Sequence, residues 1–175
     1  MKAFAISVES PRQDDVRALV VALNEEMFSL TPREHCHHMS IEEMAQPDTT
    51  VFVARAEGEA IACGALKRHP GAVGEVKRMY TKPEWRGRGV GKAILERIIA
   101  RAREEGCRRV VVETGDKLHA AWRIYEQAGF TRCGSVLDYP PSPYTVFYEM
   151  ALVGRVQSAN PAPGDGGLHP SNAES

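Results

Sequence analysis

The stretch Arg86-Gly87-Arg88-Gly89-Val90-Gly91-Lys92 sets three glycines at alternate positions among three cationic side chains. Glycine is a poor choice for the start of a helix unless the backbone itself has a task, since without a Cβ a bulky group can approach the main-chain N–H groups. The first N–H groups of a helix have no intrahelical acceptor, and the helix dipole adds partial positive charge there. Arg86, Arg88 and Lys92 bring full charges to the same place. Together these features suit a phosphate or pyrophosphate. The plainer alternative is a glycine-rich turn with exposed basic residues, and Lys92 taken alone could equally be a solvated surface lysine. A helix must follow directly, because Val90, Ile94, Leu95, Ile98, Ile99 and Ala102 recur at three- and four-residue steps until Gly106 ends the pattern. A strand over residues 75–80 and a turn at Pro83 precede the loop.

Two better-known glycine motifs fit badly. A P-loop needs glycine where Arg86 stands and Ser or Thr where Ala93 stands, and a dinucleotide fingerprint needs glycine in place of Lys92. Arg-x-x-Gly-x-Gly does fit, as Arg86, Gly89 and Gly91. Further on, a second strand leads to a helix that ends Tyr-x-x-x-Gly-Phe, with Ala121, Ile124, Tyr125, Gly129 and Phe130 in place. These two separated motifs, in this order, resemble the GCN5-related N-acetyltransferase (GNAT) superfamily. The resemblance covers roughly residues 2–152 in element order, with its specific motifs between Glu75 and Phe130. It implies an α+β fold with a mixed, mostly antiparallel sheet of six to seven strands, helices on both faces, and parallel, splayed strands 4 and 5. Acetyl-CoA would lie in that opening as co-substrate. Arg86, Gly87, Arg88, Gly89, Val90, Gly91 and Lys92 would hold its pyrophosphate, and Met79, Tyr80 and Thr81 would meet its pantetheine arm.

Direct transfer from a thioester to an amine needs a neutral amine, a polarised carbonyl and a protonated leaving thiolate. An alkylamine is mostly cationic at neutral pH, so a carboxylate, alone or through water, can take its proton. Glu75 is the leading candidate. It stands eleven residues before Arg86, the spacing at which several family members place a catalytic glutamate. Period-two alternation puts it on one face with Lys77 and Met79. The alternative is a strand-end glutamate paired with Lys77 or Arg78. Glu113 is the reserve, as base or as partner for the substrate's ammonium. Tyr125 corresponds to the family tyrosine whose hydroxyl can protonate the departing thiolate, against the plainer reading of a tyrosine packed beside Trp122. Many members carry asparagine seven residues earlier, where this chain has Leu118. His119 or Asp116 could stand in for that contact, or it is absent.

His35-Cys36-His37-His38 invites a metal reading, but adjacent residues cannot all face one ion without a strained turn, and no second group has ligand spacing, so no metal is expected. The segments 29–39 and 138–144, the latter with three prolines between two tyrosines, are the expected walls of an acceptor pocket.

The elements that must position these residues are readable in outline. Strands are expected over residues 4–8, 50–56, 60–67, 75–80, 109–114, 130–137 and 145–152, and a helix opens at Asp14 and Asp15 with Val16, Leu19, Val20, Leu23 and Met27 on one face. Ser40 caps a short helix to Ala45, and a last helix runs from Leu118 to Ala128. With 175 residues, of which 43% are hydrophobic, the expectation is one acetyltransferase domain over 1–153 and a disordered tail over 154–175. Net charge −1 argues against nucleic acid or an anionic membrane as partner. Four cysteines without a C-x-x-C pair, no signal peptide and no run near the ~20 apolar residues of a membrane span point to a cytoplasmic protein. A homodimer is left open. The expected reaction is acetyl transfer to a primary amine, small or amino-acid-like, which Glu75 and Glu113 could attract while the histidines, Arg33 and Arg78 meet a carboxylate at its far end. The rivals are a protein N-terminus or lysine as acceptor, another acyl donor, and a non-catalytic acyl-CoA-binding module.

Overall fold

The computed structural model describes residues 3–152; the expected tail over 154–175 lies outside them. In chain order the elements are β1 (Ala5–Val8), α1 (Asp14–Leu30), α2 (Ile41–Met44), β2 (Thr49–Ala56), β3 (Glu59–His69), β4 (Val73–Thr81), α3 (Val90–Glu104), β5 (Arg109–Gly115), α4 (His119–Ala128), β6 (Thr131–Cys133) and β7 (Thr145–Ala151). One seven-stranded sheet has the order β1-β2-β3-β4-β5-β7-β6. Every pairing is antiparallel except β4 with β5.

Each helix forms for a reason visible in its residues. Asp14 and Asp15 sit in the first turn of α1, where the dipole favours carboxylates, and its stripe of Val16, Leu19, Val20 and Leu23 is buried. Ser40 and Glu43 close a reciprocal capping box on α2: the Ser40 hydroxyl accepts from the Glu43 N–H, and the Glu43 carboxylate accepts from the Ser40 N–H. On one sheet face, α3 and α4 pack against Phe52, Ile61, Leu66 and Val76. On the other, α1 and α2 pack against Val51, Val53, Cys63 and Ala65. Ile94, Leu95 and Ile98 of α3 are completely buried. Truncating any of them to Ala costs about 2–5 kcal/mol.

Two irregularities shape the site. The ladder between β4 and β5 runs only from Val73–Arg109 to Val76–Val112. Beyond it β5 stays paired with β7 to Gly115 and β4 stays with β3 to Thr81, so the two parallel strands part. Within β4, Arg78 and Met79 together face Gly64 of β3, since Ala65 pairs with Lys77 and Cys63 with Tyr80. Arg78 takes φ 55, as a bulged residue can. This bulge corrects the expected alternation. Glu75 and Lys77 share a face, but Met79 turns to the opposite one, where its Sδ would lie 2.5 Å from a Cβ at Gly64. The strand expected over 130–137 is also shorter than anticipated: only Thr131–Cys133 pairs with β7. The chain bends at Gly134, Leu137 adopts φ 52, and Val136 folds onto Val73, Val111 and Phe147.

Candidate active site

The glycine loop borders a cleft of ≈ 590 Å³ walled by Tyr80, Thr81, Arg86, Gly89, Gly91 and Ile124 among others. Gly87 and Gly89 have φ of +74° and +81°, and a Cβ on either would meet no atom within 4 Å. Both glycines are therefore needed for backbone shape, and the space above them is open to a bulky group. Gly89 is the N-cap of α3, so the N–H groups of Val90, Gly91 and Lys92 begin the helix without intrahelical acceptors. The Val90 side chain is buried in the core, which fixes the loop from below. Arg86 donates to the carbonyl of Thr81 at 2.9 Å and to Glu26 of α1 at 2.7 Å. The Arg88 guanidinium lies 5.1 Å from the Trp85 ring centre. Lys92 is exposed, 3.9 Å from Glu96 on the next turn. A cradle of free N–H groups, open space and cationic side chains fits the pyrophosphate expected there.

A smaller chamber of ≈ 100 Å³ fills the gap where β4 and β5 part, lined by Lys77, Arg78, Glu113, Tyr125, His35 and Tyr144 among others. Met79, Leu118, Ala121 and Tyr125 line both spaces, so the chamber opens onto the cleft. Burial pushes the Glu113 carboxyl up to about 7, with Lys77 pulling it down, Glu75 pushing it up, and a hydrogen bond with Thr145 pulling it down. Burial, then the nearby Glu113 charge, also hold the Tyr125 hydroxyl well above the usual tyrosine range. One chamber is thus lined by a carboxyl near neutrality and a hydroxyl that stays protonated, groups of the kind general acid–base chemistry uses.

Two loops border the chamber. His35 packs at a tilt on Tyr144 at 4.8 Å and His37 on Tyr139 at 5.4 Å, while His38 meets Phe28 edge-on at 4.9 Å. The adjacent histidines thus face different partners. No group of three or more His, Cys, Asp or Glu among the described residues is placed to hold a metal.

The sequence-derived residues are not all brought together. Met79, Tyr80, Thr81 and the loop 86–92 border the cleft, apart from Arg88, which is exposed beside Trp85. Tyr125 and Glu113 line the chamber. Glu75 lines neither space. It is 1% exposed, and its carboxylate is taken up by Tyr139, His69 and Lys77 at 2.6, 2.6 and 3.3 Å. Tyr125 packs on Phe130 and Tyr148 rather than beside Trp122, whose ring N–H donates to the Gly115 carbonyl. Near Leu118, His119 borders the cleft, and Asp116 has a buried, unpartnered Oδ1. Lys77 and the bulge at Arg78 were not singled out as site features. The bulge has a signal in sequence, since Gly64 interrupts an otherwise apolar strand where two residues must crowd one.

Comparison with known proteins agrees with this geometry. Residues 16–130 match the model of the Acetyltransferase (GNAT) family. A protein of Azospirillum brasilense named IAA acetyltransferase is 36% identical over 153 residues, covering 87% of this chain and all of that one. A crystal structure from Klebsiella pneumoniae, described as a putative acyl-CoA N-acyltransferase, superposes with TM-score 0.74 at 29% identity, covering 86% of this chain and 98% of that one. A Bacillus anthracis acetyltransferase solved with acetyl coenzyme A shares the fold at TM-score 0.54 and 20% identity, over 61% of this chain and 64% of that one. On the family match over residues 16–130 and the 36% identity to a full-length relative, this chain belongs to the GNAT family and is an acyl-CoA-dependent N-acetyltransferase that uses acetyl-CoA.

Proposed function

We propose that the protein acetylates a small primary amine by direct transfer, with Glu113 as general base and Tyr125 as general acid. One observation carries this reading: Glu113 and Tyr125 line the same small chamber where β4 and β5 part. Acetyl-CoA, when bound, supplies the acetyl group as a thioester. The loop 86–92 holds the pyrophosphate through its N–H groups and cationic side chains. A bulge leaves one residue out of the ladder, and in this reading the backbone at Arg78 and Met79 polarises the thioester carbonyl. Glu113, ionised in a substantial fraction of molecules at neutral pH, takes the proton that makes the acceptor's nitrogen nucleophilic. Tyr125 gives its hydroxyl proton to the departing sulfur. Glu75 is assigned a supporting place, because its carboxylate is enclosed by three partners and does not itself line the chamber.

A small acceptor is favoured by the small size of the chamber and by the histidines and tyrosine that border it; a protein segment would call for a longer groove. Glu113 favours a cationic acceptor. The residues expected to meet a far-end carboxylate are partly committed elsewhere. Arg33 lies 4.1 Å from the Phe28 ring centre, and the 7%-exposed Arg78 donates to Asn24. His35 and His37 line the chamber but pack on Tyr144 and Tyr139; with no fully free cation among the described residues at that end, an amine need not carry a carboxylate to bind. The test is release of free CoA thiol from acetyl-CoA across a panel of small amines, free amino acids and peptides with matched N-termini. Small amines should give the highest kcat/KM. Peptides exceeding them by more than about tenfold, some 1.4 kcal/mol in transition-state binding, would replace the chamber by an open groove in this account.

A further inference from the structure

The interior carries a chain of hydrogen bonds that acetyl transfer as described does not use. His69 Nε2 and Glu75 Oε2 are 2.6 Å apart, Tyr139 donates its hydroxyl to Glu75 Oε1 at 2.6 Å, and Lys77 Nζ donates to the Tyr139 oxygen at 2.7 Å. Lys77 also lies 3.3 Å from Glu75 Oε1 and 3.5 Å from the carbonyl of His37. An ammonium has three donors, and these three neighbours account for them. Its side chain is only 11% exposed. Lys77 is therefore a fixed charge with no donor to spare for a substrate group.

Its place is set by the sheet. The last paired residues of β4 and β5 are Val76 and Val112, so Lys77 and Glu113 are the next residue on each parallel strand. Strand alternation points both to the face that carries Glu75, and both line the chamber. Taking Glu113 as the base, we propose that Lys77 is a positioning residue that sets the pH at which Glu113 works, and that the chain His69–Glu75–Tyr139 holds its ammonium in place. The other groups facing Glu113 act around it: Glu75 from β4, Tyr125 from α4, Thr145 from β7, Tyr139 from the closing loop, and His35, Cys36 and His37 from the loop after α1. Lys77 and Arg78 are the fixed cations that line the chamber with Glu113; Arg78 is engaged with Asn24, while Lys77 holds the register position beside Glu113, where an opposite charge favours the ionised carboxylate. The pairing also explains why a glutamate at position 75 is completely buried without lying in the chamber: it compensates Lys77 and ties the closing loop, through Tyr139, to the sheet.

The test is a carbon-13 titration of the Glu113 side-chain carboxyl in the full chain, without CoA or acceptor, from about pH 4 to 9. The unmodified protein should titrate near 7. Lys77→Met should raise the midpoint by about one pH unit or more, Lys77→Arg should leave it within about 0.3, and Tyr139→Phe should raise it by a smaller amount. CoA-induced thermal stabilisation in each variant checks that the fold is kept. If Lys77→Met does not fold, Tyr139→Phe decides. A midpoint unmoved by Lys77→Met, or by Tyr139→Phe in that event, overturns the proposal. Because no turnover is involved, this outcome is separate from the role of Glu113 in catalysis. Glu113→Gln kinetics test that role, and an unchanged pH–rate profile there would remove the base while leaving the Lys77 coupling standing.

Discussion

The two halves of the site are built from different materials. Under the proposed assignment, the donor half is main chain: seven consecutive residues, two of them glycines at positive φ, present the N–H groups at the start of α3, and a buried Val90 holds them. The acceptor half is side chain, drawn from segments far apart in sequence: His35 after α1, Lys77 on β4, Glu113 on β5, Tyr125 on α4 and Tyr144 before β7. A backbone site tolerates changes in most neighbouring side chains but not in its glycines. A side-chain site keeps its shape only while every contributing element stays in register. The donor half should thus be common to enzymes that share a cofactor, while the acceptor half is free to vary with substrate.

The sharpest way to break this contrast is at the glycines. Gly89→Glu should abolish CoA-induced thermal stabilisation and weaken CoA binding by at least about 100-fold, because it adds strain, bulk and negative charge at the N-cap of α3. Gly58 supplies the control. It has φ +84° in the turn between β2 and β3, with open space around it as at Gly89. Gly58→Glu should cost a similar amount of stability, about 1–2 kcal/mol for the left-handed backbone, and leave CoA binding unchanged. Equal losses of binding in both variants would show that fold stability, and not the cradle, governs affinity.

On the acceptor side, Tyr125→Phe should lower kcat by roughly 10- to 100-fold and leave CoA affinity nearly intact, since the hydroxyl acts on the leaving group. A fall in CoA affinity of the same size would make Tyr125 a binding residue and join it to the donor half.

How much of this was legible follows the same division. The donor loop, α3 and β5 could be read from local spacing, because backbone sites and amphipathic helices write themselves in consecutive residues. The acceptor half was legible only in part: Glu113, Tyr125 and the walls at 29–39 and 138–144 could be named, but not how they meet. Spacing from Arg86 pointed to Glu75, while the residue lining the chamber is Glu113, and only the parallel register with its early end at Val76–Val112 separates the two. Alternation placed Met79 beside Glu75 until the bulge at Arg78 reversed it. The strand expected through Leu137 stopped at Cys133, since a short strand at the sheet edge has one neighbour to hold it and Val136 buries itself elsewhere.

Smaller effects sharpen the picture further. Glu113 has a raised carboxyl, so between its ordinary value near 4.5 and about 7 the folded protein holds more protons than the unfolded chain. Stability from this group is therefore lost as pH rises through that window. Glu113→Gln should remove the loss, making the variant more stable than the parent by about 1–2 kcal/mol at pH 8 and closer to it at pH 5; thermal melts at the two values check this. The smallest expected change is at Glu26, which holds Arg86 at 2.7 Å. Glu26→Gln frees that guanidinium for the pyrophosphate and should tighten CoA binding by roughly two- to threefold, in line with a partly exposed ion pair, as read by calorimetry.

The most direct measurement compares pH–rate profiles of Glu113→Gln and Glu75→Gln, using the best acceptor from the amine panel. The account predicts that Glu113→Gln loses the acidic limb near pH 7 and about 100-fold or more in kcat, while Glu75→Gln keeps the limb, displaced by its effect on Lys77 and Glu113. A limb that vanishes with Glu75→Gln and survives Glu113→Gln would contradict the assignment of the base.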